Sequence, residues 1–376
     1  MKKSIYFLAS VLMAGTHFTD RAIAQSTNEN FAIGGAVYAM TNDPSENEIL
    51  VYNRDGNGQL HFAGAVPTHG TGSGGILDPL QSQSSLAFSA NRQYLFAVNP
   101  GSGTISSFLS TPSQLFYIGN VNSGGAEPIS IAVRGSLLYV LDTASISGFW
   151  IQSDGRLEPI PSSTRYFETV GGRDLGSSDI VFSPDGRFLV VPQRDANQIV
   201  VFPLQADGTT GTAVPNISSG NMPFACAFTP GGVLVVAEAD GGPTGAATSS
   251  YVITSNGTLQ VVSASIPTQG AAPCWDVVSS DGRFAIVTNA GASAETLFSV
   301  AANGQLTFIS TTSAGAGVTP LDTALTTNNQ FLYTLDAAAG EISEFRFDES
   351  SQSLVNFGSI SVGLTPNSGM NGLQAR

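Results

Sequence analysis

A short phrase recurs along this chain at a nearly constant interval, and it limits the folds that are open to the chain. The phrase is Gly-x-x-Pro, an apolar strand, a tight polar turn, and a second apolar strand that ends in a polar residue. The clearest copy runs from Gly270 through the turn at 279–282 to Asn289. Further copies begin at Gly125, Gly220, Gly317 and Gly363. A fixed period of this size in β-rich sequence indicates supersecondary units that stack or circle an axis.

Aligning the second strand of each unit gives seven copies, roughly 50 residues apart, a spacing that suits a four-stranded propeller blade. The copies are Val37–Thr41, Tyr94–Val98, Leu137–Leu141, Phe188–Pro192, Leu234–Ala237, Phe284–Thr288 and Phe331–Leu335. Asp-Gly and Asn-Gly pairs between apolar runs add hairpin signals, because their tight turns need positive φ. We therefore predict an all-β fold, a seven-bladed β-propeller.

The two ends of the chain predict how the ring closes. The first unit begins at its second strand, Val37–Thr41, and lacks a first strand. The run Gly372–Ala375 at the C-terminus supplies one. Pairing the two removes two exposed sheet edges. We predict one propeller domain over residues 36–376, with residues 25–35 as a lead-in.

The first residues read as a targeting segment. Met1–Ser4 is basic, Ile5–Ala14 is apolar, and Ala22–Ala24 is a small-x-small cleavage site. This pattern predicts a signal peptide over residues 1–24, and hence a periplasmic or extracellular protein. No later segment has the length of a membrane span.

The charge balance excludes several classes of partner and mechanism. The formal net charge is −14, and the two lysines, Lys2 and Lys3, both lie in the targeting segment. Such a surface repels nucleic acid and anionic lipid, and a lysine Schiff base is excluded. Only His61 and His69 follow the targeting segment, which rules out a multi-histidine zinc site. A divalent cation on oxygen ligands stays open.

The two cysteines leave their redox state open. Cys226 and Cys274 lie in the first strands of consecutive units. An even count in an exported protein permits one disulfide. We favour the alternative interpretation that both cysteines are buried free thiols.

Two stretches carry a resemblance to a known family. Ala271–Asn289, and Asp179–Leu189 with Ile199–Phe202, are similar to the lactonase-family seven-bladed propellers, which include 6-phosphogluconolactonases and 3-carboxymuconate cyclases. The resemblance covers nearly the whole chain after residue 24 and identifies it as an exported bacterial branch. It implies lactone chemistry. The family usually places a histidine just before the blade that begins here at Asp179, where this chain has Gly176–Ser178.

The fourth unit departs from the repeat. Where Gly-x-x-Pro is expected it reads Gly171-Gly-Arg-Asp-Leu-Gly-Ser-Ser-Asp179. This places Arg173, Asp174, Asp179, Arg194 and Ser177 near one mouth of the channel. Departures from a repeat are where function is often introduced. Arginine can hold a carboxylate or an oxyanion, and an aspartate can activate water. The competing interpretation is a set of surface charge pairs.

The sixth and seventh units carry acids at the start of the inner strand, Asp276 and Asp322, beside Trp275. A buried acid needs a partner, and we expect Arg173 or Arg194 to provide it. Trp275 is predicted either to stack on a substrate ring or to pack between blades.

Polar residues close all seven second strands. They are Asn42, Asn99, Asp142, Gln193, Glu238, Asn289 and Asp336. This ring would suit a cation or a polyol, but capping of their own backbone is the preferred reading. His69, in the Gly-rich loop 68–75, is a weaker candidate base on a loop over the mouth.

The sequence therefore predicts a monomeric, exported hydrolase of a small lactone, sugar-acid lactone or ester, acting at the channel mouth. Arg173 and Arg194 would hold the carbonyl or carboxylate, and Asp179, Asp276 or Asp322 would orient water. Candidate substrate-binding residues are Trp275, Ser177, Glu238 and His69. The alternative is a non-catalytic propeller that binds a ligand or a protein.

Overall fold

The computed structural model describes residues 32–167, 175–240 and 245–376. Within these ranges the chain is all-β, with two short 3₁₀ turns at Arg194–Ala196 and Ala290–Ala292. No helix in the described ranges is long and apolar enough to cross a bilayer. The predicted signal peptide lies outside the described residues.

The strands form seven antiparallel sheets. Blade 1 contains β1 (Gly35–Met40), β2 (Glu48–Arg54) and β3 (Leu60–Pro67); blade 2 contains β4 (Leu86–Phe88), β5 (Tyr94–Asn99), β6 (Thr104–Ser110) and β7 (Leu115–Asn122). Blade 3 contains β8 (Pro128–Arg134), β9 (Leu137–Asp142), β10 (Ser145–Ile151) and β11 (Leu157–Pro159), with β12 (Arg165–Tyr166) also paired to β10. Blade 4 contains β13 (Val181–Phe182), β14 (Phe188–Gln193), β15 (Gln198–Pro203) and β16 (Val214–Ile217).

The remaining blades follow the same order. Blade 5 contains β17 (Pro223–Phe228), β18 (Val233–Ala239), β19 (Ala246–Ile253) and β20 (Leu259–Pro267); blade 6 contains β21 (Pro273–Val278), β22 (Phe284–Asn289), β23 (Ala294–Val300) and β24 (Leu306–Ser313). Blade 7 contains β25 (Pro320–Leu325), β26 (Phe331–Asp336), β27 (Glu341–Asp348) and β28 (Ser353–Ser361), and β29 (Asn371–Ala375) returns to blade 1. Each predicted second strand matches an observed strand to within about two residues, the usual uncertainty of strand ends.

The innermost strands form a closed ring. In order they are β29, β4, β8, β13, β17, β21 and β25, and each contacts the innermost strands on both sides. This confirms the seven-bladed propeller.

The ring closes as predicted. The C-terminal strand β29 pairs antiparallel with β1, with Ala39 opposite Leu373 and Tyr38 opposite Gln374. Leu373 is buried in a cluster with residues of blades 1 and 7. The last strand of the chain therefore completes the first blade and removes its free inner edge.

Tight turns also join neighbouring blades. Tyr139 on β9 donates its hydroxyl to Gly208 O in blade 4 at 2.8 Å, and Tyr333 on β26 donates to Gly58 O in blade 1 at 2.6 Å. Both glycines have positive φ, 81° and 96°, a conformation that costs glycine little. The hairpin turns seen in the sequence thus also satisfy buried tyrosines of the adjacent blade.

Blade 4 is the least regular blade. Its innermost strand β13 has only two residues, and Ser177 forms an isolated bridge to Gln193 in place of a longer strand. The missing Gly-x-x-Pro phrase thus corresponds to a shortened strand.

Candidate active site

A segment of the chain lies across one end of the ring. Residues 76–85, here called the plug segment, precede β4 at the end where the Gly-x-x-Pro loops lie. Gln83 N donates to Ser178 O in blade 4 at 2.9 Å, and Ser82 Oγ donates to Ile129 O in blade 3 at 2.8 Å. Trp275 Nε1 in blade 6 donates to Ser82 O at 3.0 Å. The plug segment is therefore bonded to blades on opposite sides of the ring.

A central cavity of about 550 Å³ lies beneath the plug segment. Gln83 and Ser84 line its inner end, and Ala90, Arg92 and Pro184 line its outer end, at the turns between first and second strands. Between them the walls come from the innermost strands. Of the predicted catalytic residues, Asp276 and Asp322 contribute to the lining.

Asp179 is a hydrogen-bonding hub rather than part of the cavity wall. Its Oδ1 accepts from Ile180 N at 2.8 Å and Ser130 Oγ at 3.1 Å. Its Oδ2 accepts from Cys226 N at 3.1 Å and Gln83 Nε2 at 3.4 Å. Burial raises the pKa of Asp179 to about 6, while the hydrogen bonds from Cys226 N, Ile180 N and Ser130 Oγ act in the opposite direction. The carboxylate thus links blades 3, 4 and 5 to the plug segment.

Asp276 has a carboxyl group without a good partner. Its backbone N–H donates to Gln83 Oε1 at 2.9 Å, but neither carboxyl oxygen has a hydrogen bond of normal geometry to a described residue. The Gln83 side chain is still close enough to lower its pKa. Burial, and then the charge of Asp179, raise the pKa of Asp276 well above its usual value. A raised pKa favours the protonated carboxylic acid, which can donate a hydrogen bond.

Asp322 is the second acid in the cavity lining. Its Oδ2 accepts from Gly372 N at 2.6 Å, in β29. Burial raises the pKa of Asp322 to about 8, and the Gly372 bond acts in the opposite direction. The charges of Asp78 and Asp179 raise this pKa further. The cavity thus presents two carboxyl groups whose pKa values are both raised, the pattern expected of proton donors and acceptors at a reaction site.

The two predicted arginines do not join these acids within the described residues. Arg173 and its neighbour Asp174 lie outside the described residues. Arg194 donates to Gln81 O of the plug segment at 3.1 Å and stacks over Phe224. It does not contribute to the cavity lining. The expectation that Arg194 pairs with Asp276 or Asp322 is wrong, because its guanidinium is directed to Gln81 O and to the Asp195 carboxylate, 3.6 Å away.

Trp275 and Ser177 also serve local structure. Trp275 is buried and meets Phe224 edge to face, with ring centroids 5.2 Å apart. It packs between blades and under the plug segment, which is the second of the two roles predicted for it. Ser177 accepts from Gln193 Nε2 at 3.1 Å. Neither side chain lines the cavity, and their predicted contact with a substrate stays a prediction.

His69 and Glu238 lie away from the cavity lining. His69 is exposed in its loop, and its ring meets Tyr117 of blade 2 with centroids 4.2 Å apart. Glu238 is buried at the end of β18, where it accepts from Ser249 Oγ. Burial raises the pKa of Glu238.

Several of the residues that close the second strands are hydrogen-bonded to the third strand of their own blade. Asn99, Asn289 and Asp336 bond to hydroxyls on the third strands of their own blades: Ser106 at 2.8 Å, Thr296 at 2.9 Å and Ser343 at 2.5 Å. Asn289 also donates to Val287 O and Ala294 O of its own turn, at 3.1 and 3.3 Å, so the prediction of backbone capping holds there, while side-chain partners are also used. Among the described residues no group of three or more His, Cys, Asp or Glu side chains is arranged to hold a metal ion.

Sequence reasoning missed Gln83 and Arg92. The signal for Gln83 was present, because the polar run Asp78–Ser85 stands where unit 2 should carry Gly-x-x-Pro. Arg92 is the arginine among the described lining residues. It donates to Ala375 O and stacks over Phe88. Burial, and then the charge of Arg376, lower the pKa of Arg92.

Cys226 and Cys274 are free thiols, which is the interpretation that the sequence analysis favoured over a disulfide.

A closed ring of seven antiparallel blades around a cavity with two acids in its lining defines the protein as a seven-bladed β-propeller. The sequence profile described as "Lactonase, 7-bladed beta-propeller" matches residues 143–274 and 255–366. The chain belongs to this lactonase family of seven-bladed propellers.

Solved structures agree with this fold. The periplasmic gluconolactonase of Pseudomonas aeruginosa has a TM-score of 0.69 at 22% identity, over 90% of this chain and 99% of that chain. A candidate 6-phosphogluconolactonase of Bacteroides fragilis has a TM-score of 0.68 at 18% identity, over 91% and 98%. A protein of Lactobacillus plantarum has a TM-score of 0.70 at 19% identity, over 91% and 98%. At these identities the likeness concerns the fold. A comparison with curated protein sequences finds no match.

Proposed function

We propose that this protein is an exported hydrolase of a small lactone or ester, and that the reaction takes place in the central cavity. Membership of the lactonase family supports the reaction type. The observation that carries the proposal is the pair of buried acids, Asp276 and Asp322, in the lining of a cavity large enough for a small molecule. The residues at 1–24 support export, since they have the order of a signal peptide.

The two acids differ in a way that suggests their roles. The carboxyl oxygens of Asp276 have no hydrogen bond of normal geometry among the described residues, and burial raises the pKa of Asp276, which favours its protonated form. A protonated Asp276 would donate a hydrogen bond to the lactone and then give its proton to the ring oxygen as the carbon–oxygen bond breaks. The Asp276 carboxylate is reprotonated from solvent at the end of the turnover.

Asp322 is the better candidate for the base. Its pKa is about 8, so a useful fraction is ionised slightly above neutral pH. The Gly372 N–H holds the carboxylate in place. An ionised Asp322 would take a proton from water as the water oxygen bonds to the carbonyl carbon. Asp322 then returns this proton to solvent, which balances the proton that Asp276 takes up. A lactone and one water thus give one hydroxy acid, and an ester and one water give an acid and an alcohol.

Arg92 is the cation that the cavity offers to a substrate. It stands at the outer end of the cavity, and two effects, burial and the nearby Arg376, disfavour its charge. A carboxylate or another electron-rich oxygen on the substrate would offset that cost. This role replaces the one that we expected for Arg194.

The test is a panel of lactones and esters assayed with the purified protein, with and without a chelator. Asp322→Asn and Asp276→Asn are each expected to lower kcat/KM by at least 100-fold, with or without the chelator. Asp207→Asn, in an exposed hairpin, is the matched control and should leave kcat/KM unchanged. Full activity in either cavity variant would refute the proposal.

Arg194→Ala tests the location of the reaction. We expect this variant to keep kcat/KM within about threefold, because Arg194 lies outside the cavity lining. A folded variant that has lost all turnover would place the reaction on the other side of the plug segment.

A further inference from the structure

The cavity is closed at the end covered by the plug segment. Ser82 and Ser85 are completely buried, and Leu80 is nearly so. Trp275 and Asp276, directly below them in blade 6, are buried as well. The two residues of the plug segment in the cavity lining are Gln83, which is buried, and Ser84, which is partly exposed, so the plug segment covers this end of the cavity.

The closure is held by tertiary contacts rather than by local preference. Leu77, Gln81 and Ser84 have positive φ, 59°, 49° and 65°. Side chains other than glycine adopt this conformation only when their surroundings impose it. The surroundings here include Asn371 Nδ2, which donates to Asp78 Oδ1 at 2.9 Å, and Arg194, which donates to Gln81 O.

The opposite end of the cavity is accessible. Ala90 is exposed, and Phe88, Phe182 and Phe228 are partly exposed. All four line the cavity, at or near the turns between first and second strands. Partly exposed aromatic rings around an opening are typical of a site that admits a small organic molecule.

We propose that the central cavity is a one-ended site. The plug segment is a fixed wall, Gln83 is a positioning residue that links Asp179 to Asp276 within that wall, and ligands enter and leave only past Ala90 and Arg92. The entrance therefore lies on the face opposite to the Gly-x-x-Pro loops. This access route concerns the same cavity as the proposed function, but its test does not require lactone hydrolysis.

Thiol labelling tests the route directly. The reporter is Ala227→Cys, because Ala227 lines the cavity and is partly exposed. Cys226 and Cys274 are replaced by alanine so that one thiol remains. The probe is methyl methanethiosulfonate, a small neutral reagent. Ala324→Cys, in another blade of the cavity wall, serves as a second reporter in case the first variant does not fold.

Two substitutions by tryptophan test at which end of the cavity the reagent enters. Ala90→Trp narrows the proposed entrance, and it should slow labelling of the reporter by at least tenfold. Ile76→Trp is the matched control, since Ile76 is 74% exposed at the start of the plug segment, and it should leave the labelling rate unchanged. The reverse pattern, or a folded reporter that is not labelled at all, would overturn the proposal.

The positioning role of Gln83 requires a separate measurement. Gln83→Leu removes the side-chain amide that bonds to Asp179 Oδ2 and to the backbone N–H of Asp276. Because this amide lowers the pKa of Asp276, the pH midpoint of carboxyl ionisation, followed by infrared difference spectroscopy of the intact protein, should rise. An unchanged midpoint in a folded Gln83→Leu protein would contradict the positioning role. If no lactone is hydrolysed but the labelling pattern holds, the proposed function fails while the access route stands.

Discussion

Gln83 and Asp179 are 96 residues apart in sequence and are joined side chain to side chain, with Gln83 Nε2 donating to Asp179 Oδ2 at 3.4 Å. The same amide accepts from Asp276 N through Oε1. One side chain of the plug segment therefore connects blades 4 and 6 across the axis of the ring. Both partners are buried, so losing the hydrogen bonds of this amide is costly.

Gln83→Leu should accordingly destabilise the fold. Removing one partner of a buried hydrogen bond leaves the other unsatisfied, at about 1–3 kcal/mol for each group. We expect the free energy of unfolding to fall by about 3 kcal/mol in urea titrations. Gln305→Leu, at an exposed position, should change it by less than about 0.5 kcal/mol. Equal effects in the two variants would contradict the bridging role.

The glycine of the Gly-x-x-Pro phrase should be intolerant of a side chain where it meets the end of the second strand. A Cβ at Gly270 would lie 2.3 Å from Asn289 Oδ1. Gly270→Ala should cost about 2 kcal/mol or more through overpacking, measured by chemical denaturation. Gly56→Ala is the control, since a Cβ there meets nothing within 4 Å. A Gly270→Ala protein as stable as the control would exclude this close approach as the reason for the glycine.

The strand that closes the ring should be sensitive to truncation of its core side chain. Leu373 is 2% exposed between blades 1 and 7. Leu373→Ala should lower the free energy of unfolding by about 3 kcal/mol, as is usual for a buried leucine. Val355→Ala, at a position 54% exposed on β28, should have an effect below about 0.5 kcal/mol. A lower melting temperature for Val355→Ala than for Leu373→Ala would contradict this prediction.

Stability should fall as the pH rises from about 4 to about 8. Burial raises the pKa of Asp322 and Glu295 to about 8, of Asp336 and Glu344 to about 7, and of Asp78, Asp142 and Asp179 to about 6. In this pH range the folded chain binds more protons than the unfolded chain, whose acids titrate near 4, so raising the pH favours unfolding. The melting temperature should be higher at pH 5 than at pH 8.

The variant Glu295→Gln tests how much one of these acids contributes to the pH dependence of stability. Its Oε2 and Oε1 accept from the hydroxyls of Thr288 and Thr334, which an amide can still engage. The variant should therefore be at least as stable as the natural protein at pH 8, with a shallower dependence on pH. A larger loss of stability at pH 8 than at pH 5 would show that the Glu295 carboxylate is stabilised in the fold.

The site was less predictable than the ring for reasons that particular residues show. Asp276 and Asp322 were recognisable as acids at the start of inner strands, and both line the cavity. Arg194 was assigned to the same site because it follows a second strand in the irregular unit. Nothing in its local sequence indicated that Gln81, more than one hundred residues earlier, would occupy its guanidinium.

The sequence by itself determined the number of blades, the strand order within them and the strand that closes the ring. These features follow from the alternation of apolar and polar residues along each strand, from the turn residues and from the repeated phrase. All three can be recognised in the sequence without knowledge of long-range contacts. Only the tertiary structure decided that the chain before β4 crosses the axis and closes one end of the cavity. That path depends on contacts with four other blades and on backbone angles that Leu77, Gln81 and Ser84 would not adopt alone.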